Sequence, residues 1–139
     1  MALRSQLSGV VAAGLMAAAC SSVTEVELGD ERRLELNTLT APASVVSGQP
    51  LEVEIRYGIG ACDEVTAVSG QLSSANRLEL QVRGRFVSPP QGAACIDILY
   101  HRDTSFTVIV PQPGVLAVVG LQPANRDPLE RFVTVRSPD

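Results

Sequence analysis

The chain of 139 residues has no tryptophan, no lysine, one histidine and only five aromatic side chains. Each shortage excludes something. Without lysine every cation is an arginine, which we read as the codon bias of a GC-rich genome. Eleven arginines stand against fifteen carboxylates, a net charge of −4. The basic patch that nucleic acid requires is therefore missing, and so is a polybasic contact with anionic lipid. Sugar-stacking platforms and paratope-like surfaces are built on aromatics, which are too few here. The apolar stretch from Leu7 to Ala19 falls short of the roughly 20 residues a membrane-spanning helix needs.

What is present begins with that stretch. Arg4 gives a positive start, Leu7 to Ala19 an uncharged apolar middle, and Ala17-Ala18-Ala19 a small-residue exit, the three parts of a secretory signal. The run then stops at Cys20. Ala17-Ala18-Ala19-Cys20 resembles the lipobox of bacterial lipoproteins. The resemblance covers residues 1–22 and implies cleavage before Cys20, a diacylglycerol on its thiol and acylation of the new amine. Ser21 follows where inner-membrane lipoproteins usually carry aspartate, which implies sorting to the outer membrane of the cell envelope. An ordinary signal peptide would be cut at the same bond. Cysteine parity separates the two readings. Of Cys20, Cys62 and Cys95 two can pair, and lipidation uses the third.

Removing residues 1–19 also removes Arg4, which leaves a formal charge of −5 on a chain long enough for one domain. Residues 20–32 form the lipidated N-terminus and a polar, acidic tether without sustained periodicity. Residues 33–139 form the domain. There, period-two alternation dominates. "LEVEIRY" sets Leu51, Val53, Ile55 and Tyr57 on one face, and "RLELQVRGRF" sets Leu78, Leu80, Val82 and Phe86 likewise. Gly84 occupies the inward slot between Val82 and Phe86, which marks a bulge or a close backbone approach. "CIDILY", "TSFTVIVP" and "RFVTVR" read as further strands, "RLELNTL" as the first, and the nearly continuous "GVLAVVGL" as a central one. Proline- and glycine-rich turns separate them at Ala41-Pro42, Ser47–Pro50, Ser88–Gly92 and Pro111–Gly114. This spacing predicts an all-β antiparallel sandwich of about seven to eight strands after an N-terminal signal helix. "SGQPLEVEI" resembles the lead-in to strand B of bacterial immunoglobulin-like domains. That resemblance implies an immunoglobulin-like sandwich, although the Cys…Trp…Cys signature is absent.

Cys62 and Cys95 both fall where strands end and begin. If consecutive strands run antiparallel, both lie at the same end of the sandwich, which predicts a disulfide in the oxidising envelope. Loop-closure entropy over the enclosed segment gives about 3.8 kcal/mol. A metal or redox pair is disfavoured, because there is no CxxC and the sole histidine, His101, is placed beyond the opposite end of the strand that Cys95 begins.

His101-Arg102-Asp103 is the one place where histidine meets a carboxylate. No G-x-S-x-G elbow supplies a nucleophile, and the triplet reads as a polar turn joining two strands. Gly58-Ile59-Gly60 reads as a flexible loop after a strand, with no helix following to present a phosphate site. Glu52, Glu54 and Glu79 read as a solvated sheet face. The Cys62-Asp63-Glu64 corner is the nearest approach to a calcium site. Hence no catalytic residue, metal site or cofactor is expected. Two functions remain in view. One is a membrane-anchored, non-enzymatic structural or protein-binding module, held by acylated Cys20 and contacting an envelope protein. The alternative is an envelope protease inhibitor or regulatory binder acting through loops at one sandwich end, with Ser88–Ala94 as the tip.

Overall fold

A computed structural model describes residues 28–90 and 93–139. The signal helix, Cys20 and residues 20–27 of the tether lie outside the described residues. Among the described residues nine strands follow in order: β1 Arg32–Arg33, β2 Leu36–Thr40, β3 Ser44–Val46, β4 Pro50–Gly60, β5 Asp63–Ser74, β6 Arg77–Phe86, β7 Leu99–Ile109, β8 Gly114–Gly120 and β9 Leu129–Arg136. They form two sheets. One has the order β2-β4-β7. In the other, β6, β8, β9 and β3 are neighbours, and β5 pairs with the remaining edge of β6.

The strand count exceeds the expected seven to eight because two strands are very short. "RLELNTL" does not stay in one sheet: Arg32–Arg33 pairs with β6, and from Leu36 the chain pairs with β4. The pairing is also not wholly antiparallel. β6 runs parallel to β8, and β3 parallel to β9. The β6–β8 connection passes through the opposite sheet as β7, so its two strands return in the same direction. The expected tether is shorter at its domain end: Leu28 bridges Val87, and the Gly29 N–H donates to the Phe86 carbonyl at 2.8 Å.

The core is the one the alternation predicts, except at Phe86, expected inward but exposed because it ends β6 at the edge of the sandwich, past the last covered position. Leu51, Val53 and Ile55 on β4, Leu78, Leu80 and Val82 on β6, and Leu116, Val118 and Val133 are fully buried between the sheets. Burying each such side chain contributes about 1.5–3 kcal/mol. β8 is central, between β6 and β9, which explains its nearly continuous apolar run. Gly84 is a close approach, as its inward slot suggested. A Cβ there would lie 2.8 Å from the Glu64 carbonyl oxygen and 3.0 Å from Leu34.

One polar side chain joins the layers. The Leu121 N–H donates to the Leu80 carbonyl in one sheet at 2.8 Å. The buried amide of Gln122 grips Leu36 in the other. Its Oε1 accepts from the Leu36 N–H at 2.9 Å, and its Nε2 donates to the Leu36 carbonyl at 2.7 Å. The primary amide thereby stands in for a strand partner at the outer edge of β2.

Candidate functional site

The strands assign every loop to one of two ends. β4 ends at Gly60 opposite Leu99, and β5 begins at Asp63 opposite Phe86. Gly60–Cys62, residues 87–90 and 93–98, and the first described residues therefore share one end. The turns around Asn76 and Gly114 share the other.

Cys62 and Cys95 are joined at the first end, with Cα atoms 5.7 Å apart. Cys62 is braced from behind, since its carbonyl accepts from the Val87 N–H at 2.8 Å. Cys95 sits in an exposed segment, Ala93–Ile98, that belongs to no strand. The pattern of "CIDILY" predicts a strand from Cys95, but pairing with β4 begins only at Leu99. Within the segment the Ile98 N–H turns back to the Ile96 carbonyl at 2.8 Å, and both isoleucine side chains stand in solvent.

The result is an exposed apolar rim. Leu28, Phe86, Ile96, Ile98, Leu99 and Tyr100 account for six of the ten exposed large hydrophobic residues among those described. Ile96 is 64% exposed and Leu99 58%. Phe86, Ile96, Ile98 and Leu99 line a shallow depression over the disulfide, with Asp97 among them. Scattered exposed apolar residues need no explanation, whereas a cluster marks an interaction surface.

The carboxylates of the Cys62-Asp63-Glu64 corner beside the rim are already engaged. Asp63 accepts from the Gly60 N–H at 3.0 Å and pairs with Arg32 at 2.7 Å. Glu64 pairs with Arg85 at 3.1 Å. The carboxylates of the Cys62-Asp63-Glu64 corner are thus held by arginines instead of converging on a point where a cation could sit. In the adjoining groove Arg83 pairs with Glu31 at 2.6 Å, Arg33 donates to Gln81 at 3.2 Å, and Glu35 pairs with Arg126 at 2.7 Å. These pairings leave no converging positive charge to hold an anion. Among the described residues no group of three or more histidines, cysteines or carboxylates is placed to hold a metal. Far along β6, Glu79 accepts from Arg77 at 2.9 Å, and this bond holds its carboxyl below the usual carboxylate range. Glu52 and Glu54 lie on the solvated face of β4.

Two expectations are corrected. His101-Arg102-Asp103 is not a turn. It lies inside β7, opposite Gly58, Tyr57 and Arg56. It is also near the disulfide end, not beyond the opposite one. A polar triplet passes as a turn in the sequence, but β7 is an edge strand, and its outward positions face water. His101 is exposed and meets the Asn37 side chain at 3.2 Å, while Asp103 reaches Arg56 at 3.9 Å. Gly58-Ile59-Gly60 is likewise strand and not loop. Gly58 lacks a side chain where Leu99 lies, 3.0 Å from where its Cβ would be. For His101→Ala we expect a stability change within about 0.5 kcal/mol, as for other surface positions away from special features. Urea unfolding of the folded chain reads it, and a loss well beyond that range would mean His101 holds more than Asn37.

Neither the rim nor Gln122 stood out in the sequence. Ile96 and Ile98 carried the only available signal, β-branched residues on one side of an alternating run, and that signal equally describes a covered strand. Comparison with family models, with curated proteins and with solved structures finds no match.

Proposed function

We propose that this chain is a lipid-anchored, non-enzymatic protein of the bacterial cell envelope, acylated at Cys20 and sorted to the outer membrane. One observation carries the reading. The disulfide takes Cys62 and Cys95, so Cys20 is the one thiol left over, and it stands at the lipobox-like Ala17-Ala18-Ala19-Cys20. Two or three acyl chains hold a protein to a bilayer where a single chain binds only marginally. Among the described residues no helix is long and apolar enough to cross a membrane.

The exposed apolar cluster at the disulfide end favours a scaffold or binding role. The one histidine lies exposed on an edge strand beside Asn37, and Asp103 reaches Arg56 at 3.9 Å. We place the sandwich in the immunoglobulin-like class on its size, its two facing sheets and the β4–β7 pairing of non-consecutive strands. The parallel β6–β8 pairing is its departure from that pattern.

Cys20→Ala is expected to release the protein from membranes or to stall its processing. Metabolic labelling with a palmitate analogue reads this directly. Wild-type protein that takes up no label would end the anchor reading and put plain secretion in its place.

A further inference from the structure

We infer that the apolar rim at the disulfide end rests on the membrane surface, with Ile96 and Ile98 inserted among the lipid headgroups. This rests on the anchor reading of Cys20 and adds to it an orientation and a lipid-contacting face.

The geometry of the chain's first described residues carries the inference. Leu28 is bonded to Val87, and Val87 to Cys62. The domain is therefore entered at the disulfide end. Eight residue steps separate Leu28 from Cys20. Fully extended, they span about 28 Å at about 3.5 Å per step. As flexible chain, their root-mean-square reach is about 16 Å. An acylated Cys20 thus holds this end within about 28 Å of the bilayer. The opposite end, at Val115, lies about 30 Å farther along β6, at about 3.3 Å per residue. A protein partner for the rim would have to fit into the gap beneath the domain. Lipid is already there.

The chemistry of the rim agrees. Ile96 and Ile98 stand exposed on a segment that belongs to no strand, between Phe86 at the end of β6 and Leu99 and Tyr100 at the start of β7, a cluster of apolar side chains that suits insertion between headgroups. Tyr100 joins an apolar ring to a polar tip, the arrangement favoured at membrane interfaces. The arginines beside it, Arg32 and Arg85, are paired with Asp63 and Glu64, and Asp97 stands within the rim. Arg102, exposed two residues from Tyr100 on the same face of β7, offsets the charge of Asp97, so the face has no net attraction for anionic lipid, and a zwitterionic surface is the lipid it fits. The disulfide holds the two isoleucines to the body, so the segment meets the membrane without first having to be ordered.

The absence of tryptophan makes the test direct, because Ile96→Trp introduces a single reporter. The full-length variant is produced in a Gram-negative host, purified from its membranes in detergent and reconstituted into phosphatidylcholine vesicles with brominated acyl chains. Val115→Trp, at the far end, is the reference. Mass spectrometry first reads the acyl adduct on Cys20. We expect Ile96→Trp emission to be blue-shifted and quenched by the bromine, at a depth of about 5–10 Å into the headgroup and acyl boundary. Val115→Trp emission should show neither change. An acylated chain with equally weak quenching at both positions overturns the docking and leaves the anchor standing. A chain without an acyl adduct overturns the anchor, and the docking with it. A blue shift that bromine does not quench, with an envelope protein co-purifying, assigns the face to that protein and also overturns the inference. If Ile96→Trp does not fold, Tyr100→Trp takes its place with the same expected and contrary outcomes.

Discussion

Cys62→Ala and Cys95→Ala are each expected to lose roughly 2–4 kcal/mol of stability, with the double variant no worse than either alone. The two cysteines are joined, so removing one partner removes the whole cross-link. Stabilities of small domains are about 5–15 kcal/mol, which makes this a large fraction. Chemical unfolding of the three variants beside the wild type measures it. The loss arises mainly in the unfolded chain, where the bridge closes a long loop that includes β5 and β6. In the folded chain the effect should be local. Ala93–Ile98 has no strand partner, so hydrogen exchange there should quicken in the variants while β4 and β6 keep their protection. Thiol counting on the unfolded, unreduced wild type should find neither Cys62 nor Cys95 free. Two free thiols at these positions would contradict the bridge.

The second large effect is expected at Gln122. Gln122→Leu keeps an apolar side chain of similar size in a buried site, yet it removes both bonds to Leu36. The Leu36 N–H and carbonyl, bonded at 2.9 and 2.7 Å in the wild type, are left without partners away from water. Each buried unsatisfied group costs about 1–3 kcal/mol, and relaxation of the edge recovers part of that. We expect a net loss of about 2–4 kcal/mol by urea unfolding, together with faster exchange of the Leu36 amide. A loss below about 0.5 kcal/mol would show that water replaces the side-chain amide at this edge, and that β2 does not depend on it.

Legibility differed by place, for physical reasons. Where a strand has one face fully covered, alternation is enforced by burial. Leu51, Val53 and Ile55, and Leu78, Leu80 and Val82, were readable and are all buried. β5 offers no such signal. It pairs only with β6 at one edge, and its exposure does not alternate cleanly along its twelve residues. Its start near Cys62 could be inferred from the turn, but its length could not. His101-Arg102-Asp103 misled for a related reason. On an edge strand, polar residues cost nothing, so polarity ceases to mark a turn. The Ile96 and Ile98 side chains misled in the opposite direction, since apolar alternation normally means a covered strand. Here the pairing starts one residue after Ile98 and leaves both uncovered.

By itself, the sequence determined the all-β class, the central place of Gly114–Gly120, the inward faces of β4 and β6, and the pairing of Cys62 with Cys95. Each follows from the sequence pattern: the two-residue repeat of a strand, turn residues, and two cysteines placed where strands end and begin. Only the tertiary structure decided which strands share a sheet, that β6 and β8 run parallel, that Gln122 closes the edge of β2, and that six apolar side chains gather where the chain enters the domain. These depend on contacts between residues far apart in the chain. Gln122 and Leu36 are separated by 86 positions, and no local pattern encodes a partner at that distance.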